Sequence, residues 1–197
     1  IPRSDIEDVD RLPPINPDPN NFARWGLRDP DSSYFNVIGN MMTNPNRRAG
    51  INLHQRITFW IKYREYALEQ YGHISNWDVS NVTSMDYLFD NPVTRDFNED
   101  ISRWNVSNVQ NMFAMFNKTT HFDQDISKWD TSKVEDFASM FEQARAFNNG
   151  GQPLRSKLVT REDGTSYMSW NTSNATKMNS MFLRTQSFDQ DLSLIHI

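Results

Sequence analysis

One tryptophan-centred motif recurs through this chain and constrains its fold more than any other feature. It is written His73-Ile74-Ser75-Asn76-Trp77-Asp78-Val79-Ser80, then Asp100-Ile101-Ser102-Arg103-Trp104-Asn105-Val106-Ser107, then Asp125-Ile126-Ser127-Lys128-Trp129-Asp130-Thr131-Ser132. A degenerate copy runs Tyr167-Met168-Ser169-Trp170-Asn171-Thr172-Ser173, and a fifth opens at Phe188-Asp189-Gln190-Asp191-Leu192. The tryptophans stand 27, 25 and 41 residues apart, so an insertion separates the third and fourth copies. Self-similarity at such a period is the mark of supersecondary units that stack.

Each copy has two halves with different periods. In the first, Ile74, Trp77, Val79 and Val82 follow an L-x-x-L-x-L-x-x-L pattern. The two-residue step from Trp77 to Val79 is the strand period, with Asn76, Asp78 and Ser80 facing out. In the second half, Val82, Met85, Leu88 and Phe89 fall at i, i+3, i+6 and i+7, the spacing of one face of a short helix. The same slots hold Val109, Met112, Met115 and Phe116, then Val134, Phe137, Met140 and Phe141, then Ala175, Met178, Met181 and Phe182. Ser107 with Gln110, and Ser132 with Glu135, have capping-box spacing; Ser80 and Ser173 occupy the same slot. A polar loop then returns through Phe97, Phe122, Phe147 and Phe188.

These halves predict an α/β solenoid of short parallel strands and short helices. The expected core is Ile74, Trp77, Met85, Phe89, Ile101, Trp104, Met112, Phe116, Ile126, Trp129, Met140, Phe141, Trp170, Met178 and Phe182. The few apolar side chains of one copy cannot offset the entropy of ordering it, so the copies must stack. Trp170, in the degenerate last copy, is expected to contribute less to stability than the central Trp129.

Outside the repeats, residues 1–50 carry seven of the nine prolines among Asn and Asp and read as an extended arm, with Trp25, Tyr34, Phe35, Met41 and Met42 available to pack on something. Residues 51–71 predict an amphipathic helix that opens on Asn52 with Gln55 three residues on, and is read as a cap for the array. The repeats occupy 72–192, about four copies with the insertion at 148–166. Residues 193–197 read as a sequencing-adapter scar or a truncated repeat, so the array is expected to be a fragment.

The stretch Phe122-Asp123-Gln124-Asp125-Ile126-Ser127-Lys128-Trp129-Asp130-Thr131-Ser132-Lys133-Val134, continuing to Met140-Phe141 and Ala144-Phe147, resembles the BspA-like leucine-rich-repeat family, the 26-residue bacterial surface protein or lipoprotein repeats once called a domain of unknown function. The resemblance covers residues 71–192. The lead-in Glu69-Gln70-Tyr71-Gly72-His73-Ile74 is similar to members from marine algae and large DNA viruses. The resemblance implies a leucine-rich-repeat-like scaffold, a cell-surface or extracellular setting, and adhesion or recognition; it brings no catalytic motif. Copy four departs from the pattern, with Tyr167 for Ile and Ala175 for Val.

Composition narrows the function. A net charge of −5 argues against non-specific nucleic-acid binding. The absence of cysteine removes thiol catalysis and Cys-ligated zinc, and no apolar run reaches the ~18 residues of a membrane span. His54, His73, His121 and His196 share no metal-ligand spacing. Asp100, Asp125 and Asp191 suggest bonding to return-loop amides more than calcium, since no Gly-Gly-x-Gly-x-Asp signature accompanies them. Sequons at Asn81, Asn105, Asn117, Asn171 and Asn174 arise largely from the repeat consensus. No catalytic, cofactor or metal residue is expected.

The candidate binding face is the pair of outward columns Asn76, Arg103, Lys128, Ser169 and Asp78, Asn105, Asp130, Asn171. The second alternates Asp and Asn, which avoids stacking like charges on neighbouring strands. The insertion offers Arg155, Lys157, Arg161, Glu162 and Asp163, around an Asp163-Gly164 hairpin turn. It is either a docking loop or a tolerated excursion. The leading expectation is a non-catalytic recognition module for a protein or glycan surface. The alternative is a structural protein of a cell-surface layer or viral particle, self-assembling through the arm.

Overall fold

The computed structural model describes residues 52–191. The arm at 1–50, Ile51, Leu192 and the segment 193–197 lie outside the described residues, and so do the readings made of them. The chain divides into two compact units, 1–77 and 78–197.

In the first unit, α1 (Leu53–Lys62) starts on a capping box. Asn52 Oδ1 accepts from the Gln55 amide and the Asn52 amide donates to Gln55 Oε1, both at 3.0 Å. The single helix expected over 51–71 is two, because the backbone leaves helical angles at Tyr63 (φ −136°, ψ 60°) before α2 (Arg64–Tyr71) begins. Ile57, Phe59, Trp60, Tyr66 and Ala67 are buried. The Trp60 ring meets His73 and Trp77 edge-on, and Trp77 Nε1 donates to the Gly72 carbonyl at 3.1 Å. Ile74–Asn76 is a single 3-10 turn, not part of a strand.

The second unit corrects the expected fold. The repeats form neither the short parallel strands nor the short helices of an α/β, leucine-rich-repeat-like solenoid. Among the described residues the only strands are β1 (Lys157–Thr160) and β2 (Ser166–Ser169), which are antiparallel and belong to the insertion. No α-helix follows Tyr71 among the described residues, and parallel pairing there is reduced to isolated bridges, Ser84 with Asn111, Asn111 with Asp136, and Asp136 with Lys177.

What the repeats form instead is a chain of tight turns. In copy two, the amides of Trp104, Val109, Met115, Thr119 and Phe122 each donate to the carbonyl three residues back, Ile101, Val106, Met112, Phe116 and Thr119. Turn corners three residues apart put Met112, Met115 and Phe116 inward at the same spacing as a helix face. A left-handed residue in each copy stops the helix: Tyr87 (φ 55°), Ala114 (52°), Ser139 (55°) and Ser180 (60°). A turn with positive φ at its third residue is type II and redirects the chain. For a residue with a Cβ this conformation costs roughly 1–2 kcal/mol.

The amides that a helix would have used internally go to the next copy. Those of Met112, Ala114, Phe116 and Lys118 donate to the carbonyls of Asp136, Ala138, Met140 and Glu142 at 2.8–2.9 Å. Those of Phe137, Ser139, Phe141 and Gln143 repeat the pattern onto Lys177, Asn179, Met181 and Leu183 at 2.8–3.0 Å. Each copy thus satisfies its buried backbone by handing alternate N–H groups to its neighbour. The serines read as helix caps have a different partner. The amides of Ser80, Ser107, Ser132 and Ser173 donate to the side-chain oxygens of Asp78, Asn105, Asp130 and Asn171, closing Asx turns at 2.8–3.3 Å.

The core of this unit is a double column of phenylalanines. Phe116 packs against Phe122 at 4.0 Å between ring centroids, and Phe141 against Phe147 at 3.9 Å, all nearly parallel. Phe89, Phe116, Phe141 and Phe182 stack copy upon copy at 5.1–5.5 Å. Of the residues assigned to the core, Met178 and Phe182 are half-buried and the others are buried. Trp170, expected to be the weakest tryptophan, is fully buried, and its Nε1 donates to the Ile126 carbonyl at 2.8 Å, as Trp129 Nε1 does to Ile101 at 3.3 Å.

Candidate interaction surface

The insertion is built onto copy three from its first residues. Asp123 Oδ1 accepts from the amides of Asn148 (2.7 Å) and Gly150 (2.9 Å). Asn149 is buried: its Oδ1 accepts from the Ile126 amide at 2.9 Å and its Nδ2 donates to the Gln152 carbonyl at 2.8 Å. A Cβ on Gly150 would stand 3.4 Å from the Asp125 amide nitrogen, and its φ of 58° suits glycine. Leu154 is buried ahead of Trp170, whereas Tyr167, read as the inward replacement for isoleucine, is not. The start of the insertion is therefore part of the packed structure and not an excursion outside the register.

Beyond Leu154 the chain makes a hairpin. β1 and β2 pair Leu158 with Met168 and Val159 with Tyr167. Asp163-Gly164 forms the turn, with Gly164 at φ 83° and the Arg161 amide donating to the Thr165 carbonyl at 2.7 Å. Alternation along the strands sends the two apolar pairs to opposite faces.

The inner face grips copy three. Arg161 Nη2 lies 2.8 Å from Asp130 Oδ2, and its guanidinium sits 4.1 Å over the Tyr167 ring. The Tyr167 hydroxyl donates to the Lys128 carbonyl, and Lys157 Nζ donates to Ser127 Oγ at 3.1 Å. Burial raises the Tyr167 pKa above its usual value; the Asp130 charge adds to the rise, and the Arg161 charge opposes it. The outer face leaves Leu158 69% and Met168 43% exposed.

Of the outward columns, Arg103, Asn105 and Lys128 are exposed, and Asp78, Asp130 and Asn171 are half-buried. Asn76 is exposed and belongs to the first unit. Ser169 is a correction: it is buried in β2, its Oγ donating to the Lys157 carbonyl at 3.2 Å, because the insertion rotates that residue inward. Arg155 and Glu162 are exposed, and Asp163 Oδ1 accepts from the Thr165 amide and hydroxyl within the turn. Tyr167, Leu158 and Met168 escaped the sequence reading as surface residues, although the alternation of 157–160 against 166–169 carried the signal.

Asp100 and Asp125 each accept from the serine amide two residues on, at 2.9 Å. No described helix is long and apolar enough to cross a membrane. A search of curated proteins and one of solved structures give no match. A family model described as "Mycoplasma protein of unknown function, DUF285" matches residues 62–168 and again residues 162–196. These matches cover well over half of the 197 residues, and the chain belongs to that family.

Proposed function

We propose that this chain is a non-catalytic interaction module of BspA-like repeat type, working at a cell surface, that binds a protein or glycan through the hairpin and the exposed side chains of copies two and three. The observation that carries the reading is the two-sided hairpin. Its inner face is fixed by Arg161 on Asp130 and Tyr167 on Lys128, and its outer face presents the cross-strand pair Leu158 and Met168. Apolar side chains held outward on a rigid support are what a recognition surface offers a partner. The carboxylates of Asp123, Asp125 and Asp130 accept from backbone amides, which suits a scaffold better than acid–base chemistry.

The test is binding of the 197-residue chain to arrayed glycans and extracellular-matrix proteins, beside Leu158→Asp/Met168→Asp. At least one ligand should be held by the parent and weakened about tenfold or more in the variant, a change of about 1.4 kcal/mol. No ligand across the panel, or equal binding by both, would overturn the reading. So would sedimentation showing oligomers that require residues 1–50, which would favour assembly through the arm.

A further inference from the structure

We infer that Asn149 is a deamidation site gated by the seating of the insertion on copy three, and that its conversion stops the insertion from seating again. Asn149-Gly150 is the one Asn-Gly pair in the chain. A glycine after asparagine leaves its amide nitrogen unshielded and its backbone free to turn toward the side chain. In the reaction the Gly150 nitrogen attacks Asn149 Cγ and the new N–C bond closes a succinimide ring. The side-chain nitrogen leaves as ammonia, taking the Gly150 amide proton by way of water. Water then adds to either ring carbonyl and opens the ring to aspartate or isoaspartate.

The seated insertion holds every group of this reaction elsewhere. The Gly150 amide donates to Asp123 Oδ1 at 2.9 Å, and the same oxygen holds the Asn148 amide at 2.7 Å, so the chain is pinned on both sides of residue 149. The Asn149 side chain is fixed at both ends, Oδ1 by the Ile126 amide and Nδ2 on the Gln152 carbonyl. Asn149 is fully buried, which keeps out the water that carries the proton and opens the ring. Bringing Cγ onto the Gly150 nitrogen breaks these bonds together. The reaction therefore proceeds in molecules whose insertion has lifted by local opening.

Neither product fits the seat. Aspartate replaces the Nδ2 donor with an oxygen that faces the Gln152 carbonyl, acceptor against acceptor, and buries a charge. The Asp123 carboxylate, bonded to the amides before and after residue 149, sets a like charge beside it. Isoaspartate adds a methylene to the main chain ahead of Gly150 and moves its amide off Asp123. The hairpin that follows then loses its anchor at this end, whatever it binds.

The test incubates the 197-residue chain at mildly alkaline pH, folded and in urea, and follows the tryptic peptide 146–155 by mass spectrometry with fragmentation that localises the change. Asn149 should convert in urea and at least about tenfold more slowly in the folded chain. Folded Asp123→Ala should convert faster than the parent by about threefold or more, and Asp123→Asn, which keeps the acceptor oxygen, should match the parent. Asn149→Asp, made directly, should keep the Met112 and Phe116 amides protected from deuterium exchange while those of Ile126 and Gly150 exchange at least about tenfold faster than in the parent. Equal conversion folded and unfolded, or no acceleration in Asp123→Ala, overturns the gating. Asn149→Asp with Ile126 and Gly150 still protected overturns the block on reseating. So does loss of the whole stack in that variant, since Asn149 would then support copy three itself.

Discussion

Phe141 lies over Phe116 with ring centroids 5.5 Å apart and planes 2° from parallel. Phe89 covers the other face of Phe116 at 5.1 Å, so this ring is held between two copies. Truncating Phe116 to alanine should cost about 3–5 kcal/mol through lost transfer energy and a cavity. Phe182→Ala, at a half-buried ring with Phe141 on one face, should cost clearly less. Urea unfolding of the two variants beside the parent checks this, and equal losses would show that a second flanking ring adds nothing to the first.

Trp170 should prove as important as Trp129. Both indoles are buried and both donate across to the preceding copy, Trp170 to Ile126 and Trp129 to Ile101. Each alanine variant should lose about 3–5 kcal/mol. A Trp170→Ala loss under about half that of Trp129→Ala would restore the expectation, drawn from the degenerate motif, that copy four is frayed at its tryptophan.

Asp123 works as an acceptor, not as a charge. The equivalent slots are filled by Asn98, Asp123, Asn148 and Asp189, and Asn98 Oδ1 accepts from the Asp123 amide at 2.9 Å just as Asp123 Oδ1 accepts from Asn148. Asp123→Asn keeps the oxygen and should change stability by less than about 0.5 kcal/mol, whereas Asp123→Ala orphans the amides of Asn148 and Gly150 at a cost of about 1–3 kcal/mol. Thermal melts of the two variants separate these outcomes, and equal destabilisation would mean that the charge matters.

Tyr167 reports on the hairpin's seat. Because its pKa is raised in the folded chain, the folded state holds the phenolic proton more tightly than the unfolded one. The associated stability is full below the ordinary tyrosine pKa and is lost as pH rises through the raised value. Arg161→Ala removes the opposing positive charge and should move the ionisation, followed by phenolate absorbance, to still higher pH. The part-exposed Arg161–Asp130 pair should itself contribute no more than about 1 kcal/mol. Ionisation moving to lower pH in Arg161→Ala would show that the hairpin lifts off copy three.

The inward positions of the repeats were legible because both a helix face and a chain of three-residue turns place apolar side chains at i and i+3. Met112, Met115 and Phe116 are buried for the second reason, not the first. The element type was hidden because the left-handed positions, which glycine or asparagine would have betrayed, are held by Tyr87, Ala114, Ser139 and Ser180. In copies one to three the amides of Tyr87, Ala114 and Ser139 go to carbonyls of the following copy, a pairing that the sequence of a single copy does not display. At the candidate surface, Lys128, Asp130 and Arg161 could be named from the outward columns and the insertion. Ser169 and Tyr167 could not be placed, because Leu154 fills the buried position ahead of Trp170 and the hairpin sets its own alternation.

The turn-built stack sets the surface positions of copies two and three, Arg103, Asn105, Lys128 and Asp130, and Ser139 tests it by sign. At φ 55° a side chain with a Cβ is strained, and glycine is not. Ser139→Gly should raise stability by roughly 0.5–1 kcal/mol, and Ser139→Val, branched at Cβ, should lower it by about 1–2 kcal/mol. In a helix the order reverses, because glycine is the poorest of the three there, about 0.5 kcal/mol below serine. Urea unfolding of the parent and both variants should rank them glycine, serine, valine from most to least stable. A ranking with glycine last would contradict the left-handed turn at this position, and with it the stack.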